Sequence, residues 1–426
     1  MTGGHMGNSR NRGKRVGRRR ALTAAGGVLL ASLALTTPAG AATEGLACKP
    51  AIKVLGSLPG PDPAEPSPWI EDTQVNGIGR LGLSVGTSHG KPAWWSGTTV
   101  HAVPLPAGYT GGRVEAVNRF GLMAGTITGP TGPRAFRYYP WQAAVTLLPG
   151  GQYATAVNDH GRIVGYRHEG SDTIGIEWQG AAVRRVLAEP AGFDLRAVTG
   201  INNAGRIVGY GWGTSSDPDD SWGTAPGIVW SGSIAAPPVY TQPLGNAYEI
   251  SMPAAIDESG RLVGIVAGNR DATNILATWA PPYTGRTGPG TLAGRTSGSF
   301  EDISPTTKVT VGTAYDSPYD WPPEPMPPVQ AQYWRGSGPV LALPRLAPTG
   351  FSAAFAVTDR DQVGGVAVDG SGIERPVIWT CAGKQAYEPD VPLRTVHRRP
   401  GAGINPHSPS AGAPEATRTA QGLSGK

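Results

Sequence analysis

A pattern of about 45 residues recurs seven times along this chain. Each copy has a β-branched residue, then Asn or Asp, two variable residues, Gly and a second apolar stretch. Its clearest examples are residues 156–166, AVNDHGRIVGY, and residues 200–210, GINNAGRIVGY. The remaining copies start at Val75, Val117, Ile256, Ile303 and Val357. A fixed period of this length is typical of propellers and other repeat folds.

The spacing inside each copy predicts a β-hairpin. An Asn or Asp side chain can cap a tight turn, and the Gly that follows can adopt the left-handed backbone that closes it. Asn158 and Gly161 take these two positions in the third copy, whereas the sixth, which starts at Ile303, has lost the glycine. We interpret these Asn and Asp residues as structural, because a catalytic carboxylate would not be needed seven times.

A third and a fourth apolar stretch follow each hairpin. The fourth is clear at residues 100–105, 145–148, 183–187 and 340–346. Four strands in each unit of 40 to 55 residues are what a propeller blade requires. The third stretch ends in an aromatic residue, which we expect to pack between neighbouring blades. These aromatic residues are Trp95, Tyr138, Trp178, Trp230, Trp279, Trp334 and Trp379.

The last repeat lacks a fourth strand, because the chain becomes polar soon after Trp379. Residues 51–55 precede the first complete hairpin and resemble the fourth strands of the other repeats. The sequence therefore predicts an all-β, seven-bladed propeller of four-stranded antiparallel blades, closed by this N-terminal strand in the last blade. Such a closure would remove the edges that an open array exposes.

The two cysteines flank this split hairpin. Cys381 comes just after the third strand of the last repeat, and Cys48 comes just before the predicted closing strand. We predict a disulfide between them, which export would permit. Two buried free thiols are the alternative.

The chain is predicted to have three parts: a secretion signal peptide at residues 1–41, a propeller at 42–386 and a disordered polar tail at 387–426. The first part has a basic segment, an apolar stretch at residues 21–35 and the small residues Ala39-Gly40-Ala41. A buried or membrane-spanning first helix is the alternative. We therefore expect a secreted protein, exported by the general route or, given Arg18-Arg19-Arg20, by the twin-arginine route.

Charge argues against a nucleic-acid partner. The formal net charge of +5 becomes −2 when the seven basic residues of the signal segment are removed. A chain near neutrality has no electrostatic surface for phosphate backbones. No further apolar run is long enough to span a membrane, and the C-terminus carries no hydrophobic tail. We expect a monomer that is released or held non-covalently at the cell surface.

The repeats resemble the bacterial extracellular HAF repeats, whose units carry Asn-x-x-Gly-x-Val-Val-Gly, then His-Ala-Phe-x-Trp and Leu-Gly-Thr-Leu-Gly. The similarity extends over most of residues 50–382. Residues 201–210 fit the hairpin, residues 134–138 lie in the His-Ala-Phe-x-Trp register, and residues 55–58 are similar to the tail. The His-Ala-Phe triplet itself is absent. The resemblance implies a propeller-like architecture and an extracellular location, and it points to no particular enzymatic activity.

No motif predicts catalysis, a cofactor or a transition metal. The sequence has no His-x-x-x-His, no Cys-x-x-Cys and no nucleophile elbow in a credible context. Asp217, Asp219 and Asp220 form either a solvated acidic loop or a calcium site, although the spacing of an EF-hand is missing. Carboxylates for glycoside cleavage could still converge from different blades.

The longest insertions join the second and third strands of the fourth and sixth repeats, at residues 211–224 and 315–328. Aromatic residues there should share a rim with the connections between blades, and suit stacking on sugar rings or gripping a peptide. We predict a recognition module for a carbohydrate or other extracellular polymer, or for a protein surface. An extracellular polysaccharide hydrolase or lyase is the alternative, and acids facing each other in the channel would favour it. The candidate ligand-binding residues are Trp69, Trp212, Trp222, Tyr315, Tyr319 and Trp321.

Overall fold

The computed structural model describes residues 48–60, 73–80, 82–189, 192–213, 225–234, 236–241, 249–268, 273–316 and 329–389. In this part of the chain, seven four-stranded antiparallel sheets form a seven-bladed β-propeller. The fold class predicted from the repeats is confirmed. The predicted signal peptide lies outside the described residues.

The strands follow the repeats closely. The first strand is β1 (Ala51–Val54). Blade 1 contains β2 (Thr73–Ile78), β3 (Leu83–Ser88), β4 (Lys91–Ser96) and β5 (Thr99–Ala102). Blade 2 contains β6 (Gly111–Val117), β7 (Met123–Gly129), β8 (Gly132–Tyr138) and β9 (Thr146–Leu147). Blade 3 contains β10 (Tyr153–Val157), β11 (Arg162–Glu169), β12 (Asp172–Gln179) and β13 (Ala182–Val186).

The remaining blades have the same order. Blade 4 contains β14 (Phe193–Ile201), β15 (Ile207–Gly213), β16 (Gly227–Trp230) and β17 (Val239–Tyr240). Blade 5 contains β18 (Glu249–Ile256), β19 (Leu262–Gly268), β20 (Asn274–Trp279) and β21 (Arg286–Thr287). Blade 6 contains β22 (Ser297–Ile303), β23 (Thr310–Tyr315), β24 (Gln330–Trp334) and β25 (Leu341–Ala342). Blade 7 contains β26 (Ser352–Val357), β27 (Gln362–Val368) and β28 (Glu374–Thr380), followed by the short helix α1 (Ala382–Gln385).

The fourth strand of the last sheet is β1. It pairs antiparallel with β28, with Ala51 opposite Thr380 and Val54 opposite Val377. The predicted disulfide between Cys48 and Cys381 is present beside this pair. The role of β1 in holding the ring closed stays a prediction.

The propeller has two faces, which we name by their connections. The turn face carries the connections between strands one and two and between strands three and four of each blade. The crossover face carries the connections between strands two and three and those between blades. This division follows from the antiparallel order of every sheet.

The aromatic residue that ends each third strand is buried, as predicted. Four of the indoles also donate a hydrogen bond to the segment that enters their own blade. Trp178 donates to the carbonyl of Pro149 at 3.0 Å, and Trp230 to that of Ala188 at 2.8 Å. The indole of Trp95 likewise donates to the carbonyl of Gly56, and that of Trp379 to the carbonyl of Pro344. Each such tryptophan therefore fills a core and fixes the path of the chain between two blades.

The turn asparagines are structural, as interpreted from their repetition. The Asn158 side chain accepts hydrogen bonds from the backbone of its own turn, and its amide donates to the carbonyl of Asn202 in the next blade at 3.0 Å. Asn118 and Asn202 repeat this bridge, to Asn158 and Asp257 respectively. The turns of blades 2 to 5 are thereby joined side by side.

Two turns differ from their predicted form. In blade 1 the residue equivalent to Asn118 is Gly79, whose N–H bonds the carbonyl of Leu83, so the predicted start at Val75-Asn76 was three residues early. In blade 6 the turn is one residue longer, and Lys308 supplies the left-handed backbone in place of the lost glycine.

The first strand of every blade contains a β-bulge that the sequence analysis did not anticipate. In blade 3 the pairing skips Thr155, between Ala154 and Ala156. Opposite each bulge the second strand has a glycine. These glycines are Gly86, Gly125, Gly165, Gly209, Gly264, Gly312 and Gly365.

Close approach of the backbones explains this glycine. A Cβ atom on Gly165 would lie 1.9 Å from the carbonyl oxygen of Tyr153, and the corresponding distances in the other blades are as short. No side chain fits there without displacing the bulged strand. The glycine of the Ile-Val-Gly segment is therefore the sequence signature of the bulge.

We predict that Gly165→Ala lowers the free energy of unfolding by at least about 2 kcal/mol, because the added methyl group overlaps backbone that cannot move freely. Chemical denaturation of the variant and the wild-type protein would measure this loss. Gly370→Ala is the matched control, since a Cβ there meets nothing within 4 Å. Equal losses in the two variants would contradict the explanation.

The ordered chain extends slightly past the predicted propeller boundary. Tyr387, the first residue assigned to the disordered tail, pairs with Ala342 through two backbone hydrogen bonds of 2.8 and 3.0 Å. This pairing joins Tyr387 to blade 6. No helix within the described ranges is long and apolar enough to cross a membrane.

Candidate functional site

A cavity of about 1270 Å³ runs through the centre of the ring. The first strands of all seven blades line it. Its volume exceeds that of most small-molecule pockets, roughly 300–1,000 Å³. It is therefore large enough for a ligand of several sugar or amino-acid units.

The bulges place one extra residue from every blade on the cavity wall, all at an equivalent position of the first strand. We call this set the bulge ring. Neighbouring blades are joined at this level: Thr155 donates to the carbonyl of Val198 at 2.7 Å, and Thr199 to that of Pro253 at 2.8 Å. The bulge ring consists of Asn76, Glu115, Thr155, Thr199, Ala254, Glu301 and Phe355.

Three tyrosines line the cavity on the side of the crossover face. Tyr153 stacks on Tyr166 with ring centroids 4.8 Å apart, and Tyr210 occupies the position of Tyr166 in the next blade. Their hydroxyl groups contact the cavity, and none of the three forms a hydrogen bond with another residue that the structure describes. Burial raises the pKa of Tyr166 well above its usual range and that of Tyr210 to about 12. Tyr166 and Tyr210 therefore stay neutral, and a phenol hydroxyl can both donate and accept hydrogen bonds.

His168 packs edge-on against both stacked rings, with centroids 5.7 Å from Tyr153 and 5.4 Å from Tyr166. Its Nδ1 contacts the Thr173 hydroxyl at 3.0 Å, while its buried Nε2 has no partner. Burial, and then the charge of Arg196, lower the pKa of His168. This histidine is therefore a neutral support behind the tyrosines.

An ion pair lies on the same wall. Arg113 and Glu115, two residues apart on β6, form a salt bridge, and both side chains are largely shielded from bulk water. Both line the cavity. This pair provides fixed donors and acceptors beside the tyrosine hydroxyls.

Two adjacent carboxyl groups of blade 6 also line the cavity. Burial raises the pKa of Glu301 to about 7, although the Ser299 hydroxyl donates a hydrogen bond to it at 2.5 Å. Burial likewise raises the pKa of Asp302 to about 7, against the hydrogen bonds from the N–H groups of Val357 and Ile303. Neither carboxyl forms a salt bridge with a residue in the described ranges. Near neutral pH, Glu301 therefore exists in both protonated and ionised forms.

Blades 5 and 7 contribute a less polar wall. Its lining includes Met252, Ala254, Ile265 and Phe355. Blade 6 lies between these two blades, so the apolar residues flank the carboxyl groups of Glu301 and Asp302 on that part of the wall.

The structure describes two of the six predicted ligand-binding residues, and neither is an exposed rim aromatic. Tyr315 is 7% exposed, and its hydroxyl accepts a 2.5 Å hydrogen bond from the Asn274 amide. Trp212 is half-buried against the core of blade 4, with the Arg196 guanidinium 5.2 Å from its ring. Trp212 packs against its own blade, whereas the hydroxyl of Tyr315 joins blade 6 to blade 5. Trp69, Trp222, Tyr319 and Trp321 lie outside the described residues, as do Asp217, Asp219 and Asp220.

The cavity residues were missed, yet the repeats contain a signal for them. Every bulge residue stands three positions before the first residue of its turn, as Glu115 does before Asn118 and Glu301 before Ser304. Tyr166 and Tyr210 directly follow the bulge glycines Gly165 and Gly209. Comparing the repeats position by position would have grouped these residues.

No group of three or more His, Cys, Asp or Glu side chains within the described ranges is placed to hold a metal ion. The described lining of the cavity includes tyrosine hydroxyls, carboxyl groups and the ion pairs Arg113–Glu115 and Arg119–Asp159.

No family model matches the chain, and no curated protein matches it. Among solved structures it is similar to TolB from Agrobacterium tumefaciens, at 10% identity and a TM-score of 0.37 over 60% of this chain and 86% of that one. One of two prolyl endopeptidases matches at 11% identity and a TM-score of 0.46, over 76% of this chain and 51% of that one. Dipeptidyl peptidase 4 of Porphyromonas gingivalis matches at 9% identity and a TM-score of 0.31, over 56% of this chain and 36% of that one. Similarities this low carry no argument about function.

Proposed function

We propose that this protein is an exported recognition module that binds a carbohydrate or another extracellular polymer without catalysis. In this proposal a segment of the polymer enters the central cavity from the crossover face. The observation that carries it is the group of three cavity-facing tyrosines, Tyr153, Tyr166 and Tyr210, whose hydroxyls have no partner among the described residues.

The tyrosines favour binding because they are pre-organised. Tyr166 and Tyr210 are almost fully buried except where they meet the cavity, so they lose little conformational entropy when a ligand arrives. Their hydroxyls exchange hydrogen bonds with cavity water for hydrogen bonds with ligand hydroxyl groups. The Arg113–Glu115 pair adds charged partners on the same wall, and Met252 and Phe355 add apolar contact.

Export is part of the proposal. The disulfide between Cys48 and Cys381 supports it, because such bonds persist in oxidising compartments. Whether the route is the twin-arginine one is tested by replacing Arg18 and Arg19 with lysine. Loss of secretion is expected for the twin-arginine route, whereas unchanged secretion contradicts it.

The proposal is tested by calorimetry. Soluble bacterial and plant polysaccharides are injected into the mature protein, and the shape of the heat signal is followed. Heat that saturates at a fixed stoichiometry is expected for binding. The absence of a saturating signal with every polymer would contradict the proposal.

The double variant Tyr166→Phe, Tyr210→Phe tests the location of the site. It removes two hydroxyls and leaves the packing of both rings, so we expect the affinity for the polymer found above to fall at least about tenfold. The same calorimetric titration measures the change. Tyr138→Phe is the control, because the Tyr138 hydroxyl bonds the carbonyl of Pro140 outside the cavity. An unchanged affinity in the double variant would place the ligand elsewhere.

One observation favours a second candidate function, an extracellular polysaccharide hydrolase. The raised pKa of Glu301, about 7, suits a general acid, and Glu115 supplies a carboxylate from another blade. In that case the injections would give a sustained heat flow that stops only when polymer is exhausted. Glu301→Gln would then abolish the heat flow while leaving polymer binding in place.

A further inference from the structure

An exposed aromatic pair lies on the turn face of blade 2, in the connection between β8 and β9. Trp141 is 72% exposed, the largest exposure among the big hydrophobic side chains that the structure describes. Its indole stacks on the ring of Tyr139, with centroids 4.5 Å apart and planes 21° from parallel. We call Tyr139 and Trp141 the blade 2 platform.

Hydrogen bonds fix the turn that carries the platform. The N–H of Tyr139 donates to the side-chain oxygen of Gln142 at 3.0 Å, and the N–H of Gln142 donates to the carbonyl of Tyr139 at 2.9 Å. The indole edge also lies next to Gly121 in the neighbouring turn. Since Tyr139 covers only one face of the indole, the other face is presented to solvent in a fixed orientation.

The apolar area of the platform is too small for a protein partner. A stable protein interface buries about 800 Å² on each side, whereas a tryptophan offers roughly 150–250 Å². Phe120, the nearest other exposed aromatic on this face, is 55% exposed, and the Arg119 guanidinium covers its ring at 4.7 Å. One open indole face matches the size of a single sugar ring.

A positive charge without a partner lies beside the platform. The Arg137 guanidinium is 5.6 Å from the ring of Tyr139, its Nε is buried and unbonded, and it forms no ion pair or hydrogen bond with a described residue. Arg119, by contrast, lies 3.4 Å from the Asp159 carboxylate. Guanidinium groups pair preferentially with carboxylates.

We propose that the blade 2 platform is a binding subsite for an acidic polysaccharide. One pyranose ring stacks on the open face of Trp141, and Arg137 pairs with the carboxylate of an adjacent sugar in the same chain. This subsite lies on the face opposite the entrance proposed for the cavity, and neither proposal depends on the other.

The probe is hexagalacturonate, titrated into the mature protein with detection by calorimetry and by tryptophan fluorescence. We expect saturable binding that weakens with added NaCl, and an affinity at least tenfold lower in Trp141→Ala. The neutral hexamer cellohexaose should bind at least tenfold more weakly than hexagalacturonate. Ile234→Ala is the matched control, because Ile234 is 61% exposed in the same type of connection on the same face of blade 4.

Two further variants separate the possible outcomes. Arg137→Gln should bring the affinity for hexagalacturonate down to that for cellohexaose, and its melting temperature shows whether the fold is kept. The loss of affinity caused by Trp141→Ala should be the same in the wild-type protein and in protein that already carries Tyr166→Phe and Tyr210→Phe, so that the cavity proposal and the platform proposal fail separately. No binding of hexagalacturonate, equal binding of both hexamers, or full affinity in Trp141→Ala would each overturn the subsite.

Discussion

Replacing both Cys48 and Cys381 with serine should lower the free energy of unfolding by about 5 kcal/mol. The disulfide joins residues 333 positions apart, so it restricts the unfolded chain more than almost any other link in the protein would. It also lies next to the pairing of β1 with β28, and its loss frees β1 to leave the sheet. Exposure of the β28 edge would then open the ring between blades 7 and 1.

Urea denaturation of the double variant and of the oxidised wild-type protein measures this effect. Wild-type protein treated with a reductant should match the variant, and the variant itself should not respond to reductant. A loss below about 1 kcal/mol would show that strand pairing alone keeps β1 in place and that the ring does not depend on the disulfide.

Glu301→Gln should make the protein more stable above pH 7 and leave its stability near pH 4 almost unchanged. The pKa of Glu301 is about 7 in the folded protein, against 4.5 for an unperturbed glutamate. Because the folded state holds the proton more tightly, ionisation of this group favours the unfolded chain. The protonated Glu301 carboxyl contributes fully to the free energy of unfolding below pH 4.5, and this contribution is lost as the pH rises through 7.

At pH 8 we expect Glu301→Gln to raise the free energy of unfolding by about 2 kcal/mol. This is less than the full pKa shift implies, because Glu301 is only half-buried and cavity water screens its charge. Urea denaturation of wild-type and variant protein from pH 4 to pH 8 checks this. Asp302, whose pKa is also about 7, should leave a residual pH dependence in the variant. A difference between the two proteins that is the same at every pH would contradict a titrating Glu301.

Much of the fold was predictable because it repeats. The number of blades, the buried aromatic at the end of each third strand and the disulfide all followed from counting copies of one pattern. A single copy would have been ambiguous, whereas seven aligned copies separate structural positions from variable ones. The errors were local: the turn of blade 1 was placed at Asn76 instead of Gly79, because Val75-Asn76 imitates the start of the repeat.

Sequence reasoning did not foresee how the two described candidate aromatics are packed. Trp212 and Tyr315 were chosen because aromatic residues in insertions suggest exposure, yet Trp212 is half-buried and Tyr315 is buried. The exposed platform at Trp141 was not singled out, because a single tryptophan in a short connection has no distinctive sequence pattern. Exposure of a side chain depends on its neighbours in space, and those neighbours come from other turns.

The sequence by itself determined the periodic features: seven four-stranded blades, their aromatic cores and their turn residues. These depend on local backbone chemistry and on side chains that recur at fixed spacing. Only the tertiary structure decided which residues face one another across the ring. The bulges turn one residue of every first strand, such as Glu115 and Glu301, into the cavity, where burial raises the pKa of Glu301. Residues almost 190 positions apart in the chain thereby line one cavity, a proximity that ring closure creates and sequence spacing does not express.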